Sequence, residues 1–313
     1  MKIRKIRIDC FRHLEDIEFS FGETITIIAG GNGTGKTSLL GIIGHLFTYG
    51  STPKSLIGDR FENKFSKVFR FSPVKDIHEK YKYYAHFEDG VTRQAESRLT
   101  TERGKTRFRI DVGGRVRFGG KIKKPVIYLS LKRLTPIADE RTISFGELNL
   151  DKEIISEFNL IYNQIFASEE IIKPVYTKSI NKKSFSPTTE KFDAYGISAG
   201  QDNIGQIILS ILSFKSLSKE DSDYDGGVLL IDELDATLYP AAQKNLLLVF
   251  DKYARSLRLQ IIFTTHSSDI LNFIVSKNAS RLKHKTNFVG LTKALGQVKI
   301  KEGYNELVVC ARS

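Results

Sequence analysis

Apolar and polar positions alternate through the first thirty residues, and that pattern predicts strands. In residues 2–9, KIRKIRID, isoleucines alternate with charged side chains closely enough for an edge or half-exposed strand, and IEFSF and ETITIIAG supply two further strand-like runs. The period then changes. GNGTGKTSLLGIIGHLF passes from glycine-rich to apolar residues at helical spacing, with Lys36, Thr37 and Ser38 at the expected helix start. From about 51 to 124, short aromatic runs such as KVFRFSP, YKYYAHFEDG and TRFRIDVGGRVRF are separated by turn signals, including glycine pairs at 113–114 and 119–120. They predict antiparallel hairpins inserted into an α/β domain.

Beyond 124, KPVIYLSLKRLTPI predicts a buried strand with a loop, and GELNLDKEIISEFNLIYNQIFAS a helical stretch. The lysine-rich KSINKKSFSPTTEK reads as a hairpin, an effector-binding loop or a solvated turn. GISAGQDN leads into an apolar helix beginning near Asp202, then an acidic linker, KEDSDYDG, and the run GVLLIDELDATLYP. AAQKNLLLVFDKYARS predicts a helix, LQIIFTTHSS a strand and loop, and the last forty or so residues a small α/β tail. The sequence shows no internal repeat and no heptad run long enough for a coiled coil.

Composition narrows the class. The 313 residues are 41% hydrophobic and 27% charged, which excludes a wholly disordered or collagen-like chain. No apolar run approaches the roughly 18 residues of a membrane helix, and MKIRKIRIDC has no apolar leader region, so a cytoplasmic chain without a membrane partner is expected. Cys10 and Cys310 have neither the number nor the spacing for a disulfide framework or a zinc site. The net charge is +12, and it is uneven: residues 61–125 hold 17 Lys and Arg against 8 Asp and Glu. Within that segment Arg103, Lys105, Arg107 and Arg109 recur with period two, which makes one strand face basic. Arg115 and Arg117 follow after the glycines; a three-residue turn would pair Arg117 with Arg109, and a two-residue turn would set it opposite Ile110. This basic face is a candidate surface for DNA, RNA or an acidic protein.

Three motifs carry chemistry. Gly30-Gly31-Asn32-Gly33-Thr34-Gly35-Lys36-Thr37 fits GxxxxGK[ST] between a strand and a helix. Its backbone N–H groups would face phosphates, Lys36 would neutralise them, and Thr37, followed by Ser38, would take a magnesium position. Val228-Leu229-Leu230-Ile231-Asp232-Glu233 reads as a buried parallel strand ending in two carboxylates, Asp232 for Mg²⁺ and Glu233 to polarise a water. Ser198-Ala199-Gly200-Gln201 stands at a helix start, which makes it a second anion site.

The order of the phosphate loop, the SxGQ, the Asp-Glu strand, Asp235-Ala236 and His266 after IIFTT resembles the ABC-type ATPase head. The resemblance implies an α/β P-loop NTPase with a mainly parallel sheet flanked by helices, an inserted antiparallel β subdomain and a helical signature lobe. It divides the chain into a phosphate-loop part (1–50), the basic insert (51–124), a core strand with the helical lobe (125–190) and a part carrying the signature, Walker B, D-loop and switch histidine (191–313). It also implies ATP and Mg²⁺ as cofactors and two heads closing around two ATP. Ser198, Ala199, Gly200 and Gln201 would then meet the partner's γ-phosphate, Asp235 would lie in the D-loop, and Glu233 and His266 would be catalytic. The start, IDCFRHLEDIEFSF, resembles the nucleotide-side edge of SMC- and RecF-like heads, which places Arg12 and His13 near the nucleotide.

Departures from the pattern sharpen it. Ala199 replaces a glycine of LSGGQ and Leu234 follows Glu233, unlike a transporter subunit, and no coiled coil lies between Lys36 and Ser198, unlike a long-armed SMC head. PVIYLSLKRLTPI, ISAGQDN and LLIDELDATLYP are most similar to the OLD-like group, particularly the PtuA ATPases of Septu-type anti-phage systems. That likeness implies an ATPase regulating a nucleic-acid-directed effector. Fewer than fifty residues follow His266, too few for a nuclease domain, so the expectation is a short form, a fragment, or a nuclease on a separate chain such as an HNH protein. A RecF- or SMC-like repair ATPase and a nucleotide-gated scaffold are the competing readings. Gln94 and Gln164 are the candidates for a Q-loop glutamine, and neither has a convincing context.

Overall fold

The structure, a computed structural model, describes residues 1–303 apart from 51, 70, 71, 73, 77, 78, 103, 104, 114–119, 136–139, 141, 147–149, 180–182, 191, 192, 277–279, 295 and 296. The chain opens with a hairpin, β1 (Ile3–Phe11) and β2 (Leu14–Ser20), and continues through β3 (Ile25–Gly30) into α1 (Lys36–His45). Short β4 (Phe47–Thr48) and α2 (Phe65–Val68) lead to three longer strands, β5 (Lys82–Phe87), β6 (Thr92–Glu102) and β7 (Lys105–Val112). Then come β8 (Ile122–Lys123), β9 (Val126–Leu129), a 3₁₀ turn (Leu131–Leu134), β10 (Ser144–Gly146) and α3 (Lys152–Phe166). A hairpin of β11 (Lys173–Lys178) and β12 (Lys183–Thr188) precedes α4 (Ala199–Glu220). The remainder is β13 (Gly227–Ile231), α5 (Pro240–Ser256), β14 (Leu259–Thr265), α6 (Ser268–Val275), α7 (Ser280–Lys283), β15 (Thr286–Ala294) and β16 (Gln297–Glu302).

A six-stranded sheet in the order β16-β15-β3-β14-β13-β9 organises these elements, parallel throughout except for β15 with β16. Every residue of β3, β13 and β14 is buried, as expected of strands covered on both faces. The pleat divides their side chains between two cores. Ile25, Ile27, Leu229, Ile231, Ile261 and Phe263 face the lobe of α3, α4 and α5, whereas Ile28, Val228, Leu230 and Ile262 face α1 and the antiparallel sheet. That second sheet runs β2-β1-β5-β6-β7. The hairpins of the 51–124 segment therefore extend a sheet begun by β1 and β2. Gln260 of β14 ties the two sheets together: its side chain accepts from Ile3 N at 2.8 Å and donates to Ile3 O at 2.9 Å.

The fold sharpens four local readings. Residues 2–9 form a half-exposed strand rather than an edge: buried and exposed positions are interspersed along β1, which lies between β2 and β5, and the partner strand that encloses it comes more than seventy residues later. Of the readings of KSINKKSFSPTTEK the hairpin holds: β12 pairs antiparallel with β11, and its Ser184, Phe185, Ser186 and Thr188 are buried where it packs on α4, with Ser184 hydrogen-bonded to Asp202. The helix expected near Asp202 begins three residues earlier, at Ala199, because Ser198 caps it. The segment after α6 is part of the main sheet rather than a tail, since β15 lies directly beside β3.

His45, at the end of α1, ties the phosphate-loop helix to the antiparallel sheet. Its Nε2 lies 3.0 Å from the Ile110 carbonyl and its Nδ1 3.2 Å from the Lys121 ammonium, so the neutral ring donates through Nε2 and accepts at Nδ1. Burial and the Lys121 charge pull its pKa down to about 4. The unfolded chain takes up the proton near pH 6.5 and the folded chain does not, so stability falls as pH drops from about 6.5 to 4, by about 3 kcal/mol in all. In His45→Gln, which can donate and accept at the same places without titrating, the fall in the urea midpoint between pH 7 and pH 4.5 is expected to be smaller by the equivalent of about 2–3 kcal/mol. Equal falls in the two proteins would remove His45 as the cause.

Candidate nucleotide site

The turn after β3 is shaped by glycines. Gly33 and Gly35 have φ of 72° and 95°, values at which a side chain is strained, and a Cβ on Gly35 would lie 2.8 Å from His13 Nε2. Gly35 is the N-cap of α1 and supplies no side-chain cap, so the first-turn N–H groups of the helix have no side-chain acceptor there. At Gly31 and Gly33 an added Cβ would meet nothing within 4 Å, which leaves the loop open toward solvent. Thr34 Oγ1 braces the loop from inside by donating to Gly31 O at 2.8 Å. Lys36 is buried, and its Nζ donates to Gly30 O at 2.8 Å and Gly31 O at 2.9 Å. Burial lowers its pKa, while Glu233, Asp232 and Asp235 act in the opposite direction. An anion entering the loop finds a cation already held at its base.

The carboxylate strand meets this loop through one buried side chain. Asp232, 1% exposed, accepts from Thr37 Oγ1 at 2.7 Å through Oδ2 and from Thr264 Oγ1 at 2.8 Å through Oδ1. Thr264 Oγ1 also accepts from Glu233 N at 2.6 Å. Glu233 has φ of 50°, a left-handed conformation rare for its type, which points to a backbone held by its surroundings. Asp235 accepts from Thr265 Oγ1 at 2.6 Å and from His266 N at 3.2 Å, so the loop after β13 is clamped to the end of β14. Hard oxygens on Thr37 and Asp232 suit magnesium, which keeps waters and phosphate oxygens as its other ligands. Among the described residues no three His, Cys, Asp or Glu side chains converge on a metal.

Ser198 begins the other candidate anion site. It forms a capping box: Ser198 Oγ accepts from Gln201 N at 3.2 Å, and Gln201 Oε1 accepts from Ser198 N at 3.0 Å. Ser198 is exposed, and its own hydroxyl hydrogen remains available to an incoming acceptor. Ala199 is half-buried in the first turn, and Gly200 is buried against the loop after Glu233, where a Cβ would fall 2.5 Å from Thr237 O.

The structure thus brings together Gly30, Asn32, Gly33, Thr34, Gly35, Lys36, Thr37 and Ser38 on one loop and helix start, with Asp232, Glu233, Asp235 and His266 on the adjoining strand ends. His13 joins them, hydrogen-bonded to the Thr34 backbone, and burial lowers its pKa. Arg12, at φ of 58°, turns to Asp76, 3.5 Å away, and stacks over Phe69. Arg107 and Arg109 are exposed on β7, in the alternation expected, while Asp111 on the same face pairs with Arg98 at 2.7 Å. Arg103, Arg115, Arg117 and the Lys105 side chain lie outside the described residues, and so does the turn that would place Arg117. Gln94 is on β6 with its amide on Glu96, and Gln164 is on α3 beside a groove lined by Glu157 and Lys215, so neither lies on the strand ends of the site. Sequence reading missed Thr264, Thr265, Asn203 and Arg133; the threonines close the apolar run of β14, and nothing local marks them as partners of Asp232 and Asp235.

The site sits at the C-terminal ends of β3, β14 and β13, with β14 between the phosphate-loop strand and the carboxylate strand. Solved structures with this arrangement include the SMC head domain from Thermotoga maritima, 14% identical, TM-score 0.53, covering 97% of this chain and 99% of that one. A second is the recombination mediator protein RecF with ATP, 15% identical, TM-score 0.50, covering 96% and 99%. The fold is that of an ABC-type ATPase head. Two family models match parts of the chain: "AAA ATPase domain" over residues 1–112, and "AAA domain, putative AbiEii toxin, Type IV TA system" over residues 147–272. The Septu protein PtuA of Bacillus thuringiensis is 24% identical over 300 residues, 85% of this chain and 72% of that protein. The chain is therefore related to ATPases of the AAA and ABC type. No helix among the described residues is long and apolar enough to cross a membrane.

Lys36→Met tests the phosphate loop. Loss of the buried cation is expected to weaken a fluorescent ATP analogue at least about a hundredfold, equivalent to about 3 kcal/mol, in equilibrium binding. Unchanged affinity would show that nucleotide binds elsewhere.

Proposed function

We propose that the chain is an ATP-binding and ATP-hydrolysing ABC-type head that closes as a dimer around two ATP molecules and regulates an anti-phage effector acting on nucleic acid. The observation that carries the reading is the network linking Thr37, Asp232, Thr264 and Glu233. It joins the phosphate loop to the backbone of Glu233, whose carboxylate would orient a water, and phosphoryl transfer depends mainly on such positioning. Lys36 would hold the β- and γ-phosphates, with Gly30, Asn32, Gly33, Thr34, Gly35 and Ser38 around them. Thr37 and Asp232 would hold Mg²⁺, which neutralises phosphate charge when bound. Glu233 would take the proton of the attacking water, and His266 would contact the γ-phosphate from the end of β14.

Closure follows from the exposed signature turn. Ser198 is exposed at a helix N-terminus, with Ala199, Gly200 and Gln201 completing the first turn, and a γ-phosphate from a second copy would add contacts there that ADP does not offer. Asp235 would lie across that interface. The likeness to PtuA supports the defence assignment, a cytoplasmic setting and a separate nuclease partner, of which an HNH protein is one kind. The exposed Arg107 and Arg109 on β7 favour an anionic partner, DNA or RNA, whose binding would weaken steeply with salt. The RecF-like fold supports a second reading, a repair ATPase acting on DNA without an effector.

The test is the solution mass of Glu233→Gln by light scattering after gel filtration, with and without ATP and Mg²⁺. Mass is expected to double with ATP, and an added Ser198→Arg to abolish the doubling. Phosphate release should fall about a hundredfold or more in Glu233→Gln. No response of mass to ATP overturns the closure, and undiminished phosphate release overturns the role of Glu233. If the wild-type chain dimerises with ATP but releases no phosphate, it acts as a nucleotide-gated scaffold.

A further inference from the structure

The 3₁₀ turn after β9 carries Arg133, an arginine only 3% exposed. Its guanidinium reaches in three directions. Nη1 donates to Ser130 O at 3.1 Å and Leu129 O at 3.4 Å, fixing the side chain to its own turn. Nη2 donates to Glu233 O at 2.8 Å, and Nε donates to Asn203 Oδ1 at 2.8 Å. Asn203 is fully buried one turn into α4, and its Nδ2 donates to Ala236 O at 3.1 Å and Thr237 Oγ1 at 3.4 Å. One planar cation thus connects the end of β9, the backbone of Glu233 and the helix that begins at Ser198, and Asn203 carries the connection on to the loop containing Asp235.

Two features show what the connection supports. Glu233 and Thr237 both hold left-handed backbones, at φ of 50° and 69°, which persist only where neighbours fix them. Arg133 fixes Glu233 from its carbonyl side, as Thr264 does from its amide side. Gly200 packs beside Thr237 O, where an added Cβ would fall 2.5 Å away, so the start of the helix lies directly against the loop. Burial lowers the Arg133 pKa to about 10, while Asp232, Glu233 and Asp235 raise it, so the group stays charged at neutral pH.

We propose that Arg133 is the positioning residue that couples Glu233 to the signature helix, so that contact with a second copy at Ser198 sets the backbone of the carboxylate that orients water. The assignment rests on the reading of Glu233 and Ser198 given above. A lysine keeps the charge but lacks the planar fork whose Nη2 and Nε reach Glu233 O and Asn203 Oδ1 from separate atoms.

The experiment compares Arg133→Met, Arg133→Lys, Asn203→Ala and Arg133→Met/Asn203→Ala in the full chain. Affinity for a fluorescent ATP analogue is expected to stay within about twofold of wild type, while phosphate release falls about tenfold or more in both Arg133 variants. The double variant should lose little beyond the larger single loss, because the two side chains act as one unit. Normal turnover in Arg133→Lys would overturn the coupling in favour of a bare counter-charge. Loss of ATP affinity in step with melting temperature would overturn it in favour of a purely structural role. If the wild-type chain releases no phosphate, the hydrolytic reading fails separately. ATP-driven dimerisation of Glu233→Gln with and without Arg133→Met then decides the coupling: a shared association constant overturns it and a tenfold loss supports it.

Discussion

A single buried carboxylate holds the site in register. Asp232 accepts from Thr37 on α1 through one oxygen and from Thr264 on β14 through the other, so three elements distant in sequence end at the same point. Burying a charge is costly unless it is fully hydrogen-bonded, and the two threonines meet that condition at neutral cost in charge. Moving any one of the three elements would leave part of that carboxylate unpartnered. The left-handed Glu233, the clamp of Asp235 on Thr265 and the close contact of Gly200 with Thr237 all depend on where Asp232 is held.

The surrounding architecture delivers those elements to that point. The parallel sheet keeps one core for α1 and the antiparallel sheet and another for the lobe of α3, α4 and α5. The phosphate loop therefore belongs to one side and the signature helix to the other. The bonds between the two sides at the site run through the strand ends: Thr264 and Thr265 on β14, and Arg133 after β9. Such a layout keeps Ser198 on the lobe, while the phosphate loop is braced from within by Thr34 and Lys36.

How much of this could be read beforehand follows from the distance over which each feature is encoded. The phosphate loop is written in eight consecutive residues whose glycines must take special backbone conformations. The Asp-Glu strand is also a local pattern, a buried run ending in charge. The ABC-type order of motifs followed from those, and the solved structures share its fold. Arg133 sits 100 residues from its carbonyl partner Glu233. Its neighbours LKRLTP look like an ordinary basic loop, so only the folded chain shows that the side chain turns inward. An edge position stayed open for β1 because β5, which covers it, arrives more than seventy residues later, and β12 read as polar because Ser184 bonds to Asp202 of α4 and Ser186 to Thr177 of β11 rather than to water.

The placement of β3 has one more consequence. Both of its neighbours, β14 and β15, come from the stretch between Leu259 and Ala294, while β3 itself ends at Gly30. A ribosome making this chain from its N-terminus releases the phosphate loop early, on a strand with both edges open, and supplies the flanking strands more than two hundred residues later. During that interval the loop has no sheet to support it. Shaping of the loop by its sheet thus waits for strands made more than two hundred residues later, and a chain cut before Leu259 carries the motif without the scaffold that flanks it.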